Sequence, residues 1–223
     1  MVTAKINEIF ESIQGEGLYV GCKQLFIRFC GCNLKCAYCD TDFVNGKSYS
    51  PQELCAFITE NFDLSKIHSV SLTGGEPLLS LEFLKEFLPL LYGKTKIYLE
   101  TNATLAENFE EIKTYVDIVS ADIKLMSATG YDTLAIHKNF FESCYGIETF
   151  AKIVFDEKIT EQEITYCANI GEKYEFPLIL QPKMIGENLS VNSEICQKTF
   201  DAFLKNYKNV RLIPQVHKFL NIK

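Results

Sequence analysis

The residue pattern of this 223-residue chain predicts an α/β fold, an incomplete (β/α) barrel of six to seven parallel-strand units with its active site at the C-terminal face. Three observations predict it. From residue 24 onward, short apolar runs alternate with amphipathic stretches. Repeated strand–helix units imply a parallel sheet with right-handed crossovers, and six to seven of them suit a full or partial barrel better than an open doubly wound sheet. Polar segments then follow the expected strands one after another, and barrel sites are built at that end. No linker, repeat or low-complexity segment interrupts the pattern, so residues 1–223 are read as one domain.

The elements follow in order. The apolar run Gln24-Leu-Phe-Ile-Arg-Phe-Cys30 predicts a first strand over 25–30. Ser50-Pro51-Gln-Glu53 is a capping box with proline at the first helical position and opens a helix over 51–61. A strand over 69–73 ends at Thr73-Gly74-Gly75-Glu76-Pro77 and is followed by a helix over 80–91. The next pairs are strand 96–100 with helix 106–115 and strand 116–122 with helix 139–148. After strand 151–155, the capping box Thr160-Glu-Gln-Glu163 opens a helix over 160–174. Strand 177–181, helix 192–207 and strand 210–215 complete the series. The polar segments at the strand ends are Thr73–Pro77, Glu100-Thr101-Asn102, Ser120 to Lys124, Gln181-Pro182-Lys183 and Gln215-Val216-His217.

Bulk properties narrow the function. Hydrophobic residues make up 47% of the chain and the formal net charge is −7, which argues against a broad nucleic-acid or anionic-membrane surface. No apolar run approaches the roughly 18 residues of a membrane span, and Met1–Glu8 lacks the apolar core of an export signal. A cytoplasmic location is expected.

The sharpest chemical feature is Cys32-Asn-Leu-Lys-Cys36-Ala-Tyr-Cys39, a C-x3-C-x2-C run just after the first expected strand. Three thiolates on one loop can hold three corners of an iron–sulfur cluster. A [4Fe–4S] cluster ordinarily takes four cysteines, so one iron would stay open to an exogenous ligand. Structural zinc needs four ligands, usually in two pairs, and no second pair follows at finger spacing. A disulfide framework suits neither the length nor the nine cysteines. Cys30 is a rival ligand, although its one-residue gap to Cys32 is tight. Cys22, Cys55, Cys144, Cys167 and Cys196 are read with it as ordinary thiols, and His68 and His137 as structural.

This cysteine run, with aromatic Tyr38 before its last member and Gly74-Gly75-Glu76-Pro77 after the next strand, resembles the radical S-adenosylmethionine (SAM) superfamily. A wider ordered set resembles the 7-carboxy-7-deazaguanine synthases within it. That set is Phe10-Glu-Ser-Ile-Gln14-Gly15-Glu16-Gly17 before the first expected strand, Arg28, Asp40-Thr41 and Gln215-Val-His217-Lys218. The resemblance implies a full or partial (β/α) barrel and a lyase that converts 6-carboxy-5,6,7,8-tetrahydropterin to 7-carboxy-7-deazaguanine by radical ring contraction with loss of ammonia. It implies a [4Fe–4S] cluster on Cys32, Cys36 and Cys39, with SAM chelated at the open iron. It further implies Mg²⁺ on Thr41 and an external electron donor such as a flavodoxin or ferredoxin; the adjacent carboxylates Asp40 and Asp42 are read either as outer partners of that cation or as solvated loop charges. A homodimer is compatible with it. SAM contacts fall on Tyr38, Cys39, Asp40, Gly75, Ser120, Asp122, Lys124 and Gln181. Substrate contacts fall on Ile13, Gln14, Gly15, Glu16, Arg28, Thr73, His217 and Lys223.

The residue chemistry agrees. A planar guanidinium on Arg28 can grip a carboxylate bidentately, although pairing with a protein carboxylate is the plainer alternative. Gln14 and Glu16 carry groups suited to an amino-pyrimidinone edge, and side-chain-free Gly74-Gly75 lets backbone approach a ligand. Only eight residues follow the last expected strand, too few for a typical helix of about 11. The tail is therefore expected to stay at the site mouth, with His217 pointing inward and the Lys223 carboxylate near substrate. One departure stands out. Ser120-Ala-Asp122-Ile-Lys124 replaces the Ser-Pro-Lys of many members and resembles glycyl-radical activating enzymes, which keeps such an enzyme as a rival. A tRNA-modifying radical enzyme lacks a basic patch here, and an electron carrier would need a fourth cysteine ligand.

Overall fold

The computed structural model describes residues 2–37, 39 and 45–223. Its elements in chain order are β1 (Ala4–Ile13), β2 (Lys23–Phe29), β3 (Lys47–Tyr49), α1 (Pro51–Asn61), β4 (Ser69–Gly74), α2 (Leu81–Leu91), β5 (Lys96–Thr101) and α3 (Ala106–Ile112). There follow β6 (Ile118–Ile123), α4 (Met126–Thr129), α5 (Leu134–Ser143), β7 (Glu148–Phe155), α6 (Glu161–Tyr174) and β8 (Leu178–Pro182). The small hairpin β9 (Met184–Ile185) and β10 (Asn188–Leu189), α7 (Ser193–Asn206), β11 (Val210–Leu212) and α8 (Val216–Leu220) end the chain. Among the described residues no helix is long and apolar enough to cross a membrane.

One nine-stranded sheet runs β11-β8-β7-β6-β5-β4-β2-β1-β3. Every neighbouring pair from β2 to β11 is parallel, so seven strands carry the expected repeats. β1 and β3 add an antiparallel edge. The sheet does not close, because β11 and β3 are its two ends. It curls enough for the chain after β11 to reach the end of β1, where Val216 N–H donates to the Gly15 carbonyl at 2.9 Å.

Strand periodicity sorts the side chains into two layers. Val70, Leu72, Leu99, Val119, Ala121, Ile153 and Leu180 face the helices and join Leu54, Ile58, Phe83, Phe87, Phe109, Phe140 and Phe203 in the main core. Burial of each such large side chain contributes about 1.5–3 kcal/mol. The alternate positions turn to the concave side. Tyr98, Ile118, Phe150 and Ile179, near the starts of their strands, form a second cluster with Leu18, Tyr19 and Ile213. Further along the same strands the inward positions become polar. The β1–β2 connection therefore fills the lower interior and floors a polar pocket.

Helix starts agree with the sequence. Ser50 Oγ accepts from Glu53 N–H at 3.3 Å while Glu53 accepts from Ser50 N–H at 2.8 Å, and Thr160 and Glu163 repeat the arrangement. Four expectations need correction. The strand over 25–30 is the second, because β1 precedes it and Gln14–Gly17 lies in the β1–β2 connection. Ile6, Ile9, Phe10 and Ile13 sit at helical spacing, and the register shift between Ile6 and Glu8 explains why alternation is broken there. The helix expected over 139–148 is α5 at Leu134–Ser143, ended by the turn through Gly146 (φ +83°) before β7. The last strand stops at Leu212, ahead of Pro214, which has no N–H, and the eight-residue tail forms the short helix α8.

Gly17 (φ +69°) carries the floor loop past Phe150, whose ring would lie 2.5 Å from an added Cβ. Gly21 (φ +93°) has open space instead. Gly21→Ala should cost only the left-handed backbone penalty of about 1–2 kcal/mol. Gly17→Ala should lose a further ~1–3 kcal/mol from overpacking. Denaturant unfolding of both variants checks this, and equal losses would remove the floor loop from the interior.

Candidate active site

The site grows from the floor loop. Gln14 is 3% exposed, and its Nε2 donates to Gln24 Oε1 at 3.0 Å and to Glu100 Oε1 at 2.9 Å. Its Oε1 accepts from Glu16 N–H at 3.0 Å. The amide expected to contact a ligand thus has both hydrogens engaged within the protein, and Gln14 acts here by positioning Glu16 and Glu100. Glu100 also accepts from Ser71 Oγ at 3.3 Å and Thr73 Oγ1 at 2.8 Å.

Glu16 faces Lys152 on β7 in a buried ion pair and accepts from Gln215 Nε2 at 2.5 Å. Burial alone would raise its pKa, but the charge and hydrogen bond of Lys152, with Gln215 and His217, hold the carboxyl at about 2. Lys152 also lies 3.3 Å from Asp122 Oδ1. Desolvation opposes its charge, yet Asp122, Glu16 and Glu100 together keep it protonated. Asp122 Oδ2 accepts from Lys124 Nζ at 2.8 Å. Carboxylates and ammonium groups therefore alternate across the strand ends.

Two adjoining cavities open above this floor. One is lined by Cys32, Cys36, Cys39, Gly74, Gly75, Asn102, Asp122, Lys124, Gln181 and Met184, among others. The second is lined by Phe10, Ile13, Gln14, Gly15, His217 and Lys223. Glu16, Arg28, Thr73, Glu100 and Gln215 line both. Arg28 lies between them, with Nε 3.4 Å from Glu8 of β1 and its guanidinium 5.7 Å from the Phe10 ring centre. Its pairing with a protein carboxylate and its place in the pocket wall are both realised. The tail covers the second cavity as expected. His217 packs against Gly15, where any Cβ would overlap its side chain. Ser12 Oγ donates to the Lys223 main-chain oxygen at 2.5 Å, and Lys223 Nζ pairs with Glu8 at 2.8 Å.

At the cysteine loop the glycines have a packing role. A Cβ on Gly75 would overlap the Gly31 carbonyl, and Glu76 N–H donates to that same oxygen at 2.8 Å. The Gly74–Glu76 segment is thereby stitched to the start of the loop. Buried Glu76 accepts from Leu78 N–H (3.1 Å), Thr101 Oγ1 (2.8 Å) and Asn102 N–H (2.7 Å), fastening the ends of β4 and β5 together. Burial, outweighing these donors, raises its pKa to about 7. His137, fully buried, accepts at Nε2 from Lys124 N–H (3.1 Å), and its Nδ1–H donates to the Ala103 carbonyl (3.1 Å). It is structural, as expected, and it fixes two segments of the wall. His68 packs beside Tyr19, ring centres 4.7 Å apart and tilted by 39°.

The remaining expected residues divide clearly. Asp122, Lys124, Gly75, Cys39 and Gln181 stand in the first cavity. Ser120 is one inward step lower, hydrogen-bonded to Tyr98 beneath the wall. Tyr38, Asp40, Thr41 and Asp42 lie outside the described residues. Lys152 was not anticipated, because it sits inside the apolar run Ala151–Phe155 and only the register of β7 turns it inward. Glu100 and Gln215 stood in recognised polar segments without an assigned role.

The geometry matches a known family. The sequence model of the Radical SAM superfamily matches residues 26–155. A 7-carboxy-7-deazaguanine synthase of Geobacter sulfurreducens is 35% identical, with 97% of each chain covered. That of Archaeoglobus fulgidus is also 35% identical, with 99% of each covered. The chain belongs to the 7-carboxy-7-deazaguanine synthase family of radical SAM enzymes. The crystal structure of QueE from Escherichia coli shares the fold, with a TM-score of 0.67, 20% identity and coverage of 97% of this chain and 96% of that one. The protein is accordingly a lyase of deazapurine biosynthesis that uses a [4Fe–4S] cluster and SAM and acts on a small molecule. The rival activating-enzyme reading falls with this membership. The residues fit the two groups. Three cysteines line one cavity, and among the described residues Gln181 Oε1 is a buried acceptor of that wall without a hydrogen-bond partner, suited to a ribose hydroxyl or ammonium donor.

Glu76 yields a pH signature. Unfolded, it ionises near its ordinary 4.5; folded, it holds its proton to about 7. In that window the unfolded chain binds fewer protons, so stability falls as pH rises and levels off above it. Urea midpoints measured from about pH 5 to about pH 8 should fall in the native protein, with a smaller fall in Glu76→Gln. Equal slopes would exclude Glu76 as the source.

Proposed function

We propose that this enzyme converts 6-carboxy-5,6,7,8-tetrahydropterin to 7-carboxy-7-deazaguanine, with SAM in the cysteine-lined cavity and the pterin in the cavity roofed by the tail. The observation that carries this reading is the shared wall: Glu16, Arg28, Thr73, Glu100 and Gln215 line both cavities, so a hydrogen atom has a short path between two ligands.

Cys32, Cys36 and Cys39 would hold the cluster. When bound, cluster and SAM supply the radical that removes a hydrogen atom from the pterin. The chain's own residues bind and orient. Glu16, kept anionic by Lys152, accepts from pterin N–H groups, and Gln215 fixes its rotation. The Arg28 guanidinium takes the substrate carboxylate, a charge-assisted bond contributing roughly 1.5–3 kcal/mol. Phe10, stacked on Phe26 at 5.2 Å between centroids, helps place the Arg28 guanidinium 5.7 Å from its ring centre in the cavity wall. Glu100, held by three donors, keeps an acceptor at the boundary of the two cavities. His217 and the Lys223 main chain close the outer side.

Mg²⁺ belongs to the same proposal, held by Thr41 with substrate oxygens and water, in keeping with the cation's habit of retaining such ligands. An external one-electron donor such as flavodoxin or ferredoxin would complete turnover. The test is an anaerobic assay with 6-carboxytetrahydropterin, SAM and dithionite. Formation of 7-carboxy-7-deazaguanine is expected, and Thr41→Val should weaken the Mg²⁺ stimulation while leaving the cluster spectrum intact. Cluster assembly and SAM cleavage without pterin turnover would refute the substrate assignment.

A further inference from the structure

The end of β5 reaches across to the cysteine loop through side chains that the proposed reaction does not use. Asn102 is 6% exposed. Its Nδ2 donates to Asn33 Oδ1 at 2.8 Å and points at Cys32 Sγ at 3.8 Å. Its Oδ1 accepts from Thr104 N–H at 3.2 Å and Thr104 Oγ1 at 2.6 Å. Asn33 Nδ2 closes the ring by donating to Thr104 Oγ1 at 2.9 Å. Two donors on one side of the amide and an acceptor pair on the other leave only one orientation for Asn102.

The main chain around it is equally fixed. Asn102 N–H donates to Glu76, and Ala103 takes a left-handed conformation (φ +56°) with its carbonyl bound by His137. The amide cannot swing away from the sulfur without breaking several of these contacts. A second donor, Leu34 N–H, lies 3.4 Å from the same Sγ. Cys32 thus receives two N–H groups, one from its own loop and one from a rigid strand end across the pocket.

N–H groups aimed at a ligating sulfur stabilise the added negative charge of a reduced cluster, and hydrogen bonds to sulfur are among the factors that set its potential. We propose that Asn102 is a positioning residue that raises the reduction potential of the cluster through its N–H···S contact with Cys32, its amide held in that orientation by Asn33 and Thr104. This rests on the assignment of Cys32 as a cluster ligand.

The experiment is an EPR-monitored redox titration of the anaerobically reconstituted full-length protein without SAM, with iron and sulfide counted per chain. Asn102→Ala and Asn102→Ser, neither able to reach the sulfur, should keep native cluster content and titrate at a more negative midpoint. Thr104→Val breaks the ring without removing the sulfur donor and should titrate near the native midpoint. An unmoved midpoint in both Asn102 variants overturns the inference, as does an equal shift in Thr104→Val, which would make loop order the cause. Loss of the cluster from both Asn102 variants, with circular dichroism showing them folded, also overturns it in favour of a purely structural role. Cys32→Ala separates the two levels: full cluster content there defeats the ligand set, whereas its loss beside an unmoved Asn102 midpoint defeats only this inference.

Discussion

The site depends on one buried ion pair, Glu16 with Lys152. An uncompensated charge inside a protein costs several kcal/mol, so neither group would stay there alone. Together, with Asp122 3.3 Å from Lys152 and Gln215 donating to Glu16, they tie the β1–β2 connection to the middle of the parallel sheet. Below the pair, Leu18 and Tyr19 bury themselves against Tyr98, Ile118, Phe150 and Ile179. Above it, two cavities share Glu16 itself, Gln215 bonded to it, and Arg28, Thr73 and Glu100.

This constraint explains how an open sheet encloses a site. The strands leave a gap between β11 and the antiparallel edge. The gap is bridged by Gln14–Gly17 from one side and Gln215–Lys223 from the other, joined where Val216 donates to the Gly15 carbonyl and His217 lies on the same glycine. The cysteine loop is secured separately, through Gly75 and Glu76 to the end of β4 and through Asn102 to the end of β5. The redox and substrate sides therefore rest on different supports and meet at Arg28, Thr73 and Glu100.

Much of this was legible in the sequence. Seven parallel strands, the capped helices and the polar strand ends follow from periodicity and turn chemistry; the cysteine spacing with GGEP carried the superfamily, and Phe10–Gly17, Arg28, Asp40-Thr41 and Gln215–Lys218 carried the family. What escaped had physical causes. The bulged β1 hides its alternation. Lys152 is masked by apolar neighbours until strand register assigns its face. The protein partners of the Gln14 amide, Gln24 and Glu100, are distant in sequence and appear only in the fold. Glu76 stands in the recognised Gly74–Pro77 segment, yet only the folded chain shows its carboxylate turned inward to join two strand ends.

The central claim is that Glu16 and Lys152 act as one unit holding the floor loop in place. A double-mutant cycle on folding stability tests it most directly, with Glu16→Gln, Lys152→Met and the double variant measured by denaturant unfolding. Lys152→Met leaves Glu16 without its cation and should cost about 3–5 kcal/mol, whereas Glu16→Gln leaves Lys152 with Asp122 at 3.3 Å and should cost less. The double variant should cost less than the sum of the two, by a coupling of roughly 1–3 kcal/mol. Additivity to within about 0.5 kcal/mol would show that the two residues do not depend on each other and would contradict the account.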